Sequence, residues 1–360
     1  MYKTGKNRWN YSTKSDKRKF VAAMHIISLA VVIQLLIYEI LPEILYTALY
    51  EYLDFYYDVF KPGFFESAHY DEINYIIVNI VIITTAAIAS LVTGTFIILC
   101  VKTFADPYAN ASAGFGPAPD IKDKISFKFI LPKNTFALLA AGLCIVQFSV
   151  FIYTFFSYIM YFIFGISSYS QSHYESYFPY TVLGIVLYFI SVVIIPSFFE
   201  EFVFRYVMLN SLRKYGNTFA IIVTSLLFGF AHARMSAFVY ATAVGFFSAY
   251  IAIKTKSIWF PIILHAVVNG TSFLLQYLSA RVIEDEGVMN IFYFSFLTFI
   301  SAVTFIYLLS LIIKRRESGL APPGSHIYIS KVRKFIFFFN AATLIFFILS
   351  IIRSLEDYFY

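Results

Sequence analysis

The chain has 360 residues, of which 60% are hydrophobic, 21% aromatic and only 13% charged, with a formal net charge of +6. A water-soluble domain carries roughly 25% charged residues, so these proportions exclude a soluble globular protein. The surplus positive charge sits in segments between apolar runs, where it serves topology and contact with anionic lipid, and it calls for no nucleic-acid partner.

Apolar runs of about 20 residues, the length that crosses a ~30 Å hydrocarbon core, predict nine spans, at 20–41, 75–101, 135–165, 179–204, 217–233, 236–253, 258–279, 290–313 and 335–352. The third and fourth exceed one perpendicular crossing and must tilt, kink or protrude, with Pro196 the expected bend in the fourth. The expected fold is all-α and polytopic, with about nine transmembrane helices around a four-helix core.

Lys and Arg in connecting loops set orientation. The arm at 1–19 carries Lys3, Lys6, Arg8, Lys14, Lys17, Arg18 and Lys19, whereas the segment EYLDFYYDVFKPGFFESAHYDE after the first span has one Lys against six acids. Basic and non-basic loops then alternate along the chain. Nine crossings with the N-terminus cytoplasmic and the C-terminus outside fit every loop. The first apolar run is too long for a cleavable signal peptide and lacks a small-residue cleavage site, so it is expected to stay as an anchor. Cys100 and Cys144 lie in apolar runs and predict buried thiols, with no disulfide framework and no CxxC metal pattern. The Pro/Gly/Ala-rich ADPYANASAGFGPAPDIKDK and GLAPPGS stretches read as linkers. The chain thus divides into the basic arm at 1–19, three spans at 20–166, a centre at 179–279 and a two-span tail at 290–352.

The centre concentrates the polar chemistry. Between Glu175 and Glu284 the acids are Glu200 and Glu201 alone, and the histidines His232 and His265 alone. An ionisable side chain at a membrane-helix centre costs on the order of 2.5–3.5 kcal/mol and persists where it faces a bundle interior with partners. Glu201 and Arg205 are four apart, on one face and in the favourable order. Glu200 points about 100° away round the helix and has no local counter-charge. His265 and Asn269 are also four apart. With the cytoplasmic boundary near Arg213 and Asn217, Glu200 lies ~20 Å deep and His232 ~22 Å. His265 and Asn269, counted from Ser257, lie ~12 Å and ~18 Å deep.

In order and spacing, EExxxR (Glu200, Glu201, Arg205), FxxxH (Phe228, His232) and HxxxN (His265, Asn269) resemble the CAAX-protease and bacteriocin-processing (Abi) family of intramembrane glutamic endopeptidases, which includes the type II CAAX prenyl endopeptidases. The resemblance covers roughly 100 to 110 residues and leaves the flanking spans unaccounted for. It implies that His232 shares a water with a glutamate base, and that His265 and Asn269 form an oxyanion site. Glu201 and Arg205 would then hold the helix. Peptide hydrolysis needs an activated water, a proton donor for the leaving amine and donors for the oxyanion. Glu200, set among Phe198, Phe199 and Phe202, is the expected base because Glu201 already has Arg205, although the reverse assignment stays open.

Other readings remain. Glu200, His232 and His265 are one carboxylate and two imidazoles, a known catalytic zinc ligand set, but HExxH is absent and no cofactor is expected. A scaffold or bacteriocin self-immunity protein of the same family would keep the polar network as interhelical glue. The expected partners are the lipid bilayer and a peptide-precursor or membrane-protein substrate, in a bacterial cell membrane. Scissile bond and oligomeric state are not legible.

Overall fold

The computed structural model describes residues 14–60, 70–104, 124–164, 178–232, 235–281 and 340–359, with isolated positions between 295 and 306. The elements are α1 (Lys14–Phe60), α2 (Tyr70–Phe104), α3 (Thr135–Phe164), α4 (Val182–Arg213), α5 (Asn217–Ala231), α6 (Met235–Thr255), α7 (Trp259–Arg281) and α8 (Ala341–Phe359). Six helices, α1 to α4, α6 and α7, are long and apolar enough to cross a membrane, and α5 and the apolar part of α8 are shorter. Among the described residues the only β-structure is an isolated bridge between Ser126 and Ser257. The protein is an all-α polytopic membrane protein. Most of the expected span at 290–313, nearly all of both linkers, and the beginning of the expected span at 335–352 lie outside the described residues.

Two boundaries differ from expectation. The first helix does not stop near residue 41 but runs through Pro42 to Phe60, so part of the acidic segment read as a loop is helical. Extending a formed helix adds one hydrogen bond per residue without a new nucleation cost, which lets α1 continue, at 47 residues, beyond any bilayer thickness. The fourth helix likewise runs past residue 204 to Arg213. It is not uniform: Ile190–Ile194 and Phe202–Leu209 are π-helical, a rare geometry that adds a residue to the turn and recurs at functional sites. Pro196 sits in the first turn of the α-helical stretch between them, Ile195–Glu201, as its missing N–H and fixed φ favour.

The core joins the N-terminal helices to the centre. Phe20 and Ile27 of α1 and Ile97 of α2 share one buried cluster with Phe204, Met208 and Leu212 of α4, Ala220 of α5, Ile253 of α6 and Phe346 of α8. Lipid tails are as apolar as these side chains, so association relies on close packing and interhelical hydrogen bonds. Ser28 supplies one such bond to Thr343 at 2.6 Å, tying α8 to α1. The turn between α4 and α5 rests on Gly216, whose φ of 130° is rarely open to other residues.

Segment 124–134 crosses one end of the bundle as an extended strap. Ser126 N–H donates to Lys256 O at 3.1 Å, and Ile258 N–H donates to Ser126 O at 3.2 Å. Asn210, a polar residue with no role evident from sequence, brackets Ile125 by accepting from its N–H at 3.0 Å and donating to its carbonyl at 2.9 Å. Phe127 of the strap packs on Tyr206 at 4.7 Å between ring centroids.

Candidate active site

Among the described residues, Glu201 and Arg205 are the most deeply buried charged residues of the centre, with side chains 1% and 0% exposed. Glu201 Oε2 lies 3.1 Å from Arg205 Nε, too misaligned for a hydrogen bond but close enough for strong attraction at low dielectric. Arg205 also donates from Nη2 to Ser248 Oγ at 3.3 Å. Its guanidinium carbon sits 4.3 Å from the Phe228 ring centroid, a cation–π contact strengthened by desolvation. The other carboxylate oxygen of Glu201 faces His265 Nδ1 at 3.2 Å. Since an ionised carboxylate only accepts, the imidazole donates from Nδ1 and leaves Nε2 turned elsewhere.

Glu200 is held differently. Its side chain is 22% exposed, and Oε2 stands 4.0 Å from His232 Nε2. His232 caps the C-terminus of α5, a helix of only 15 residues that ends within the bundle. Its Nδ1–H donates to Phe228 O at 2.9 Å, so in the neutral ring Nε2 is an acceptor aimed at Glu200. Phe228 lies between both histidines, with ring centroids 4.8 Å from His232 and 5.8 Å from His265.

The sequence placed Asn269 beside His265 as a donor pair. In the structure its amide donates to Val192 O at 3.0 Å. Pro196, four residues further on, offers that carbonyl no α-helical N–H donor. Asn269 fills that position, and its second amide hydrogen remains for another acceptor. Asn269→Leu is therefore expected to cost about 1–3 kcal/mol by removing the donor to a part-buried carbonyl. Adding Pro196→Ala, which restores an N–H to the helix, should recover part of the loss. Thermal unfolding of the detergent-purified single and double variants measures the coupling.

The expected residues thus assemble as linked units: Glu200 with His232, Glu201 with Arg205 and His265, and Asn269 with the backbone at Val192. Sequence reasoning missed Ser248 as a partner of Arg205; Phe228, singled out in FxxxH as a supporting residue, packs against the guanidinium and both imidazoles. Gln276, also without an evident role, accepts a hydrogen bond from Tyr188. Among the described residues, no three His, Cys, Asp or Glu side chains converge at metal-binding spacing.

A helical membrane bundle with two carboxylates, two imidazoles and an arginine gathered inside it defines an intramembrane polar centre. Residues 181–271, which contain every one of these groups, match the model of the family described as Type II CAAX prenyl endopeptidase Rce1-like. A Bacillus subtilis (strain 168) protein named "Putative membrane peptidase YdiL" is 31% identical over 119 residues, covering 33% of this chain and 48% of that protein. The chain therefore spans about half the length of the curated relative it matches. No solved structure matches it.

Proposed function

We propose that the protein is an intramembrane endopeptidase in which Glu200 and His232 activate a water for attack on a peptide carbonyl. The observation carrying this reading is the partly exposed Glu200–His232 pair, whose 4.0 Å separation suits a bridging water better than a direct hydrogen bond. The relative named as a membrane peptidase and the endopeptidase description of the matching family support the same class of activity.

The chemistry follows from the donors and acceptors in place. Glu200 takes one proton from the water as its oxygen bonds to the carbonyl carbon, while His232 Nε2 accepts a hydrogen bond from the other. Negative charge develops on the former carbonyl oxygen. The spare amide hydrogen of Asn269 is a donor for it, and His265 Nε2 can add a second when the ring carries both protons. Glu200 then returns its proton to the amide nitrogen as the C–N bond breaks, releasing an amine and a carboxylic acid product. Glu201 and Arg205 orient His265. A peptide precursor or membrane-protein segment is the proposed substrate, and a bacterial cell membrane with a cytoplasmic N-terminus is the proposed setting.

The test uses full-length protein in detergent with a quenched fluorescent peptide library. Wild type is expected to cleave, and His232→Ala to lose roughly 100-fold or more in rate. EDTA and 1,10-phenanthroline should leave cleavage unchanged; inhibition reversed by added zinc would replace this mechanism with a metal-dependent one. Cleavage by Glu200→Gln at the wild-type rate would overturn the assignment of the base.

A further inference from the structure

Helix α2 (Tyr70–Phe104) lies outside residues 181–271, yet it is bonded to the helix that carries both glutamates. Asn79 of α2 and Ser191 of α4 are 2% and 1% exposed. The Asn79 amide donates to Tyr75 O of its own helix at 2.9 Å, which fixes the side chain and leaves Oδ1 facing α4. There the Ser191 hydroxyl donates to it at 2.5 Å. The same hydroxyl stands 2.9 Å from Tyr188 O, a partner within α4 that would satisfy it without Asn79. A polar pair between membrane helices often acts simply as glue. The place where this one lands gives it a second role.

Ser191 belongs to the π-helical stretch Ile190–Ile194. The next residue is Val192, whose carbonyl accepts the Asn269 amide at 3.0 Å. Helix α7 rests directly on the same turn, since a Cβ added at Gly270 would meet Val193 Cγ1 at 3.9 Å, ordinary van der Waals contact. Ser197, 1% exposed, donates its hydroxyl to Val193 O at 2.5 Å. Three side chains thus hold three consecutive residues of the turn: Asn79 at Ser191, Asn269 at Val192 and Ser197 at Val193. A π turn is a rare geometry that recurs at functional sites. Any shift of this one moves the Val192 carbonyl, and with it the amide that the carbonyl anchors.

We propose that Asn79 is a positioning residue for Asn269. Through Ser191 it fixes the π turn of α4, and the turn fixes the amide that donates to the developing oxyanion. A helix outside the matched residues thereby sets the geometry of a group inside them. The proposal rests on the endopeptidase reading, in which Asn269 is that donor, and two readouts separate its failure from the failure of that reading.

The first readout is steady-state cleavage by full-length wild type, Asn79→Leu, Ser191→Ala and Ser191→Thr, each also made in an Asn269→Leu background. Removing an oxyanion donor outright costs about 100- to 1,000-fold in kcat. Loosening one is expected to cost roughly 3- to 30-fold in Asn79→Leu and in Ser191→Ala, with KM nearly unchanged. Ser191→Thr keeps the hydroxyl and should match wild type. In the Asn269→Leu background neither Asn79→Leu nor Ser191→Ala should lower kcat further, because residues that act as a unit are not additive. Wild-type kcat in Asn79→Leu, or the same fold loss in both backgrounds, would reduce the pair to glue and overturn the proposal. The second readout needs no protease activity: hydrogen–deuterium exchange of the backbone at 190–197, read by peptide mass spectrometry. Exchange there should be several-fold faster in Asn79→Leu and Ser191→Ala than in wild type, with α5 and α6 unchanged. An unchanged rate overturns the proposal even if no protein in the series cleaves. Faster exchange in a series without cleavage would support the hold on the turn and count against the peptidase reading instead.

Discussion

Glu200→Gln is expected to abolish peptide cleavage, by roughly 100- to 10,000-fold in kcat, while the protein stays folded. Glutamine matches glutamate in shape, but its amide cannot take the proton that the attacking water must lose. The fold should tolerate the change because Glu200 is 22% exposed and stands 4.0 Å from His232, beyond a direct hydrogen bond. Glu201→Gln should behave differently. That carboxylate is 1% exposed and lies against both Arg205 and His265, so its loss should lower stability as well as activity. Measuring cleavage and thermal unfolding on the same two preparations distinguishes the adjacent glutamates. Loss of activity without loss of stability marks the base.

Arg205→Met is expected to be the most damaging single substitution for stability, at about 3–5 kcal/mol, because it leaves the Glu201 carboxylate buried without its cation. It also removes the guanidinium from the Phe228 ring and the bond to Ser248. The double variant Glu201→Gln, Arg205→Met should regain most of that stability, since removing both charges removes the desolvation cost of each. It should not regain full activity. His265 donates Nδ1–H to Glu201 at 3.2 Å, and a neutral amide holds it less firmly than a charge-assisted bond. Thermal or denaturant unfolding in one detergent gives the coupling energy. An Arg205→Met variant as stable as wild type would mean that Glu201 is buried as a neutral acid.

Much of the site is legible in the linear sequence because helix periodicity is local. The i,i+4 spacing of Glu201 and Arg205 predicts the ion pair found at 3.1 Å, and it leaves Glu200 seeking a partner on another helix. Counting depth from the basic turn at Arg213 brings Glu200 level with His232, and the structure sets them 4.0 Å apart. The apolar runs likewise predict an all-α membrane protein, since only helices satisfy the backbone within a long apolar segment that crosses lipid.

Other features depend on contacts between distant segments. The sequence marks Pro196 as a bend but does not show that Asn269, on another helix, supplies the hydrogen bond missing at Val192. The π-helical stretches of α4 have no signal in the apolar periodicity. The i,i+4 relation of His265 to Asn269 suggests a shared task; tertiary packing gives one to Glu201 and the other to a backbone carbonyl. Composition and spacing by themselves determined the membrane setting, the helices and the cluster of ionisable residues, since each follows from hydrophobicity and helix geometry. Only the tertiary structure decided which glutamate pairs with which histidine, because a buried charge or orphaned carbonyl takes the partner that packing brings within reach.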